Sequence, residues 1–258
     1  MNRNKCFLTL LITSFMSMLL VAGVNAEEVD DKYLLDDVDV EFSADVAVYS
    51  KYIWRGFVLD NDPVMQSGAY VDGYGFNASI WGSFDIDSKD DLNSDEVDYS
   101  VGYSYDLKEK LNVPVSVSGG YIYYDFPSAK LNSQEFYIGL GADILLSPAV
   151  TWYHDFEDEV NGGGHGDYVV AELSHSIPIS DLPITLDLNG HVGYNHKLFI
   201  LGDGGDVGLG TGMVFQLSKN CTLNPNIAYS IPFGDLKKSD DGNQDKKFYG
   251  GAALALSF

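Results

Sequence analysis

Positive charge is scarce in this chain. Its 258 residues carry 15 Lys and Arg against 38 Asp and Glu, a formal net charge of −23, so it lacks the phosphate-neutralising surface that a nucleic-acid partner needs. Cysteine is scarcer still. Cys6 and Cys221 are the only two, which excludes a disulfide framework and four-cysteine metal centres. Beyond the N-terminal region no apolar run is long enough to cross a bilayer as a helix, and no long stretch repeats with helical period. If the chain lives in a membrane, strands must cross it.

The N-terminus has the pattern of an export leader. Arg3 and Lys5 precede an apolar run from Cys6 to about Leu20, and Val24-Asn25-Ala26 supplies a peptidase-like flank, so cleavage is expected before Glu27. Residues 1–26 therefore read as a secretory signal peptide for Sec-type export, 27–39 as a periplasmic N-terminal segment and 40–258 as the folded unit. Removing the leader takes Cys6 with it and leaves Cys221 without a disulfide partner.

From Val40 onward the sequence divides into twelve short alternating segments rich in Tyr, Val, Phe, Ser and Gly. They run approximately over 40–55, 63–73, 76–86, 97–107, 113–125, 134–144, 148–156, 167–178, 183–195, 206–218, 221–232 and 247–258. Tight connections such as Asp72-Gly73-Tyr74-Gly75 and Lys219-Asn220 alternate with long polar ones such as Asp87 to Glu96 and Gly234 to Lys246. An even strand count with short turns on one side and long loops on the other predicts an all-β fold, a transmembrane antiparallel up-and-down β-barrel of about 12 strands. The last segment, FYGGAALALSF, keeps strict alternation to Phe258, the form of strand expected to engage barrel-assembly machinery.

A soluble β-sandwich also has many short strands, but the composition of the two strand faces argues for a barrel in lipid. In the first strand Val40, Phe42, Ala44, Val46 and Val48 oppose Glu41, Asp45, Lys51 and Arg55. In the tenth, Val207, Leu209, Met213, Phe215 and Leu217 oppose Asp206 and a series of glycines. One wholly apolar face and one polar or tiny face, strand after strand, is the inside-out pattern. Tyr52, Trp54, Tyr123, Tyr124, Tyr153 and Tyr194 lie near strand ends and suit interfacial girdles, with some of the aromatic residues instead packing in the lumen, as the lumen parity of Trp81 implies.

The same parity sends Glu41, Asp45, Asp72, Asp98, Glu135, Asp143, Glu172, Asp187 and Asp206 to the lumen, against Lys51 and Arg55, with His191 nearby in type. The candidate pore-lining set is Glu41, Asp45, Lys51, Arg55, Asp98, Glu135, Glu172, Asp187 and His191. A ring of acids around an aqueous path favours cations. The competing reading is that these charges pair and plug the interior, as side chains do in small barrels.

Other motifs carry less. Asp85 to Glu96, DIDSKDDLNSDE, places Asp85, Asp87, Asp91, Asn93 and Glu96 in an EF-hand-like frame, but Lys89 and Asp90 spoil it, so a solvated acidic loop is expected. Gly162-Gly163-Gly164-His165-Gly166 lacks the Lys-Ser/Thr of a phosphate loop. His154 and His165, flanked by acids, suggest at most weak metal capture. In Ser174-His175-Ser176 neighbouring residues point to opposite faces, which argues against a nucleophile and base pair. No catalytic residue, metal site or cofactor is expected.

Tyr49 to Asp85, YSKYIWRGFVLDNDPVMQSGAYVDGYGFNASIWGSFD, resembles the start of the TorF-like porin family of Gram-negative bacteria. The shared elements are S-K-Y-x-W-R-G at Ser50 to Gly56, D-x-P-x-x-Q-x-G at Asp62 to Gly68 (with Ser67 where glycine is more usual), a glycine hairpin at Asp72 to Gly75, and W-x-S at Trp81 to Ser83. The resemblance implies an outer-membrane porin. The expected function is passive diffusion of small hydrophilic solutes, cation-preferring if open, with outer-membrane lipid and lipopolysaccharide as surroundings. The alternative is a non-conducting structural or surface-interaction barrel that binds divalent ions or envelope partners through its acidic loops.

Overall fold

The computed structural model describes residues 40–86, 95–158, 163–239 and 244–258. The leader, the 27–39 segment and the centre of the acidic 85–96 loop lie outside these residues. Twelve strands form one closed antiparallel barrel: β1 (Val40–Tyr49), β4 (Val64–Gly73), β5 (Phe76–Asp85), β6 (Glu96–Asp106), β7 (Val115–Phe126), β8 (Leu131–Ala142), β9 (Ala149–Asp155), β10 (Asp167–Pro178), β11 (Ile184–His196), β12 (Asp203–Ser218), β13 (Cys221–Gly234) and β14 (Lys247–Ser257). Each pairs with its neighbour in sequence, and β1 closes on β14 with Asp45 opposite Ala255 and Ala47 opposite Ala253. The expected fold class and strand count are those observed.

Alternation within each strand decides which side chains meet lipid. Phe42, Val48, Ile80, Val101, Leu140 and Leu209 point outward and stay exposed, Ile138 by 52 % and Leu209 by 57 %. Exposed apolar side chains on so many adjacent strands would each cost about 1.5–3 kcal/mol of lost burial in water, and they match a hydrocarbon surround. The opposite faces carry Asp45, Gln66, Ser83, Asp98, Glu135 and Asp206, all buried. No helix among the described residues is long and apolar enough to cross a membrane; the crossing elements are strands.

The first predicted strand is corrected by the structure. β1 ends at Tyr49, and the alternation that continues through Tyr52 and Trp54 belongs to a separate hairpin, β2 (Tyr52–Trp54) and β3 (Phe57–Asp60). Its two-residue turn has Arg55 at φ 47° and Gly56 at φ 80°, both in the left-handed region that a tight I′ hairpin requires. The hairpin bends into the barrel and packs against its wall. Tyr52 joins Ala47, Tyr49, Val64, Trp81 and Ala253 in one buried cluster; Phe57 joins Ile200 and Leu236 in another; Trp54 touches both, as well as a third formed by Tyr168, Val170 and Leu198. Leu236 is carried inward by a short 3-10 turn, Leu236–Lys238. The Lys238 ammonium beside Asp235, which also accepts the Asp203 N–H, holds the Asp235 carboxyl below its ordinary range.

Gly56 is fixed in place twice over. A Cβ added there would lie 2.6 Å from the Asp206 Cβ and 2.9 Å from the Leu236 Cδ2, on a backbone already at positive φ. Gly56→Ala is therefore expected to destabilise the seated hairpin by about 1–3 kcal/mol. The check is limited trypsin digestion of the folded barrel, in which cleavage after Arg55 should accelerate at least severalfold; an unchanged rate would contradict the packing described.

Candidate functional site

The hairpin turn places Arg55 in the barrel interior, buried at 8 % exposure. Its guanidinium donates to both Glu135 oxygens, Nη1 to Oε1 at 2.6 Å and Nη2 to Oε2 at 2.8 Å, with the two side chains 4 % and 0 % exposed. This is the bidentate fork for which a planar guanidinium is suited. Three rings surround the same group: its central carbon lies 4.4 Å from the Trp54 ring centroid, 4.2 Å from Tyr153 and 4.7 Å from Tyr168. Each ring face adds a cation–π attraction of about 0.5–2 kcal/mol, larger where water is excluded.

Neighbouring wall residues hold this seat in shape. The Tyr124 hydroxyl donates to Glu135 Oε2 at 2.8 Å, which orients the carboxylate. The Tyr168 hydroxyl donates to Asp206 Oδ1 at 2.8 Å, and His191 Nε2 meets Asp206 Oδ2 at 2.7 Å. Asp155, opposite Glu135 across β8 and β9, accepts Ser133 and the Gly164 N–H. Elsewhere on the wall, tyrosines lie on inward-facing glycines: Tyr70 over Gly68 on its way to Asp45, Tyr168 over Gly193, and Tyr137 over Gly102 and Gly120.

The sequence-derived candidates fall into separate places. Arg55 and Glu135 meet directly, and Asp98 lies close to them, opposite Tyr124 on β6 and β7. Asp45 is buried on the inner face of β1, bonded to Tyr70 at 3.0 Å. Glu172 and His191 are cross-strand neighbours on β10 and β11. Asp187 accepts Ser176 at 2.6 Å towards the other end of the barrel, and Glu41 faces Asp72 across β1 and β4 there. Lys51 departs from the expected first-strand parity: it follows the end of β1, and its ammonium bonds the Asn61 backbone and side-chain oxygens in the loop. Asp143 is corrected from lumen to turn, because β8 ends at Ala142 and the carboxylate pairs with exposed Lys108 at 2.6 Å.

The strand-end aromatics divide between the two expected places. Tyr52, Trp54, Tyr124 and Tyr153 serve the interior, whereas the outward aromatic surface is built by Phe136, Trp152, His154 and Phe156, with Tyr99 tilted against Tyr123. His154 bonds Asp167 at 3.0 Å within that surface. The inward position of Tyr124 and Tyr153 was available from parity, since they alternate in step with Ser116 and Thr151. Glu96, buried beside Asp98 on β6, was hidden by the acidic run before it. Ser174 and His175 occupy opposite faces of β10, so they form no nucleophile and base pair.

A closed barrel with an inward hairpin and buried acids on its inner face is the context for comparison with known proteins. A family model described as a bacterial protein of unknown function, Gcw_chp, matches residues 36–210. The chain belongs to the Gcw_chp family. No curated protein matches its sequence. Among solved structures, the KdgM porin aligns with a TM-score of 0.52 at 12 % identity, covering 85 % of this chain and 98 % of its own. The NanC porin gives 0.51 at 11 %, covering 82 % and 98 %. An outer-membrane channel from Pseudomonas putida F1 gives 0.50 at 8 %, covering 93 % and 100 %. At these identities the likeness is one of fold: this Gcw_chp member has the barrel architecture of porins and channels.

Proposed function

We propose that the protein is an outer-membrane channel of a Gram-negative bacterium that passes small hydrophilic solutes, prefers cations, and rests with its first loop folded into the path. The observation that carries this reading is the charge of the interior. Among the described residues the buried acids are Asp45, Asp60, Glu96, Asp98, Glu135, Asp155 and Asp206, and the one buried base is Arg55. A water-filled path past such a wall concentrates cations and repels anions. The oligogalacturonate found with the KdgM porin is a chain of carboxylate sugars; the acidic wall here disfavours that class. The likeness of Tyr49 to Asp85 to the TorF-like porins supports a channel, and the terminal strand ending in Phe258 supports delivery by barrel-assembly machinery into a bilayer containing lipopolysaccharide.

A non-conducting barrel is the second reading, favoured by the hydrophobic clusters that seat the hairpin. The two part in a planar bilayer under a KCl gradient. Discrete current steps with a reversal potential of cation sign are expected, shifting towards zero selectivity when Asp45, Glu172 and Asp187 are changed together to Asn, Gln and Asn. Repeated insertion without current in both the wild type and a chain lacking the hairpin would sink the channel.

A further inference from the structure

The seat of Arg55 is a complete recognition site whose occupant is part of the same chain. Its carboxylate and two of its three rings belong to the wall, namely Glu135 on β8, Tyr153 on β9 and Tyr168 on β10, while Trp54 alone arrives with the hairpin. The wall groups are held by partners that are themselves wall residues, Tyr124 for Glu135 and Asp206 for Tyr168. Lifting the hairpin would therefore leave an oriented carboxylate flanked by two ring faces. The fork to both Glu135 oxygens and the flat approach to the rings fit a guanidinium, and a compact ammonium satisfies neither in the same way.

We propose that this seat is a binding site for solutes bearing a guanidinium group, and that such a solute, entering from the loop side, takes the place of Arg55 and releases the β2–β3 hairpin. The inference rests on the channel reading for its physiological meaning but not for the binding itself. Because Arg55 is tethered, its effective concentration at Glu135 is of millimolar order or above. A soluble competitor must then be present at comparable concentration to displace it from the wild type and binds better once Arg55 is removed.

The test is calorimetric titration of the refolded full chain with methylguanidine and, as a control of equal charge, butylammonium. Arg55→Ala should bind methylguanidine at least tenfold more tightly than the wild type and at least tenfold more tightly than it binds butylammonium. Adding Glu135→Gln to that variant should abolish the difference. Should Arg55→Ala fail to fold, Arg55→Lys, which keeps the charge but not the fork, is expected to show the same ranking. Equal binding of the two cations, or no gain on removing the Arg55 guanidinium, would overturn the proposal. Single-channel recording of the same variants reads the other premise: selective binding without current in any of them supports the site and sinks the channel.

Discussion

Glu135→Ala is expected to unseat the hairpin and raise the single-channel conductance severalfold, with a stability loss of about 3–5 kcal/mol if the hairpin stays. The substitution leaves a guanidinium that is only 4 % exposed in its side chain without its counter-charge, and arginine cannot escape by losing a proton. The three rings recover part of the loss, but they cannot replace two charge-assisted hydrogen bonds at 2.6 and 2.8 Å. The chain's remaining option is to move Arg55 to water, which means withdrawing Tyr52, Trp54 and Phe57 from the clusters they complete. Conductance and the urea midpoint in lipid vesicles read the two arms of this choice. The double variant Arg55→Leu with Glu135→Leu removes both charges and should lie nearer the wild type in stability than Glu135→Ala does, since an apolar pair avoids both desolvation costs. Wild-type midpoint and conductance in Glu135→Ala would show that the ion pair does not hold the hairpin.

Ile138→Arg is expected to cost about 2–4 kcal/mol in lipid vesicles, although the residue is exposed. Ile138 points outward near the middle of β8 with 52 % of its surface uncovered. In a water-soluble sandwich such a position would accept arginine within about 0.5 kcal/mol. In a bilayer the guanidinium must be dragged into hydrocarbon or snorkel towards an interface several residues away. Ile138→Leu at the same site should be close to neutral. A urea midpoint for Ile138→Arg equal to that of Ile138→Leu would contradict the inside-out reading of the strand faces.

How far the sequence reveals this molecule depends on the range of the interaction concerned. Strands are local: alternation of residues such as Val207, Leu209 and Met213 against Asp206, Gly208 and Gly212 marks β12 without knowledge of its partners. The same rule misled at β1, because Tyr52 and Trp54 continue the period past Ser50 and hide a reversal at Arg55-Gly56, a pair that lacks the Asn-Gly or Asp-Gly signature of a tight turn. Nearness to strand ends was a poorer guide to Tyr124 and Tyr153 than parity, which turns both inward. The meeting of Arg55 with Glu135, eighty positions apart, has no local signature at all. It depends on which loop folds inwards, and that is decided by packing among Trp54, Leu198 and Leu236 on three different connections.

The inward hairpin hangs between β1 and β4, and β1 is also the strand that completes the circle with β14. Contacts across that seam join residues about two hundred positions apart, as Asp45 with Ala255, so their loop-closure cost places them late in any folding sequence. Arg55, by contrast, needs only β8 to find its carboxylate. The hairpin thus reaches from the seam strand across the interior to the opposite wall, joining the end of β1 to β8 through Arg55 and Glu135. It is a tie rod: the seam strand is held through the middle of the cylinder as well as along its edge.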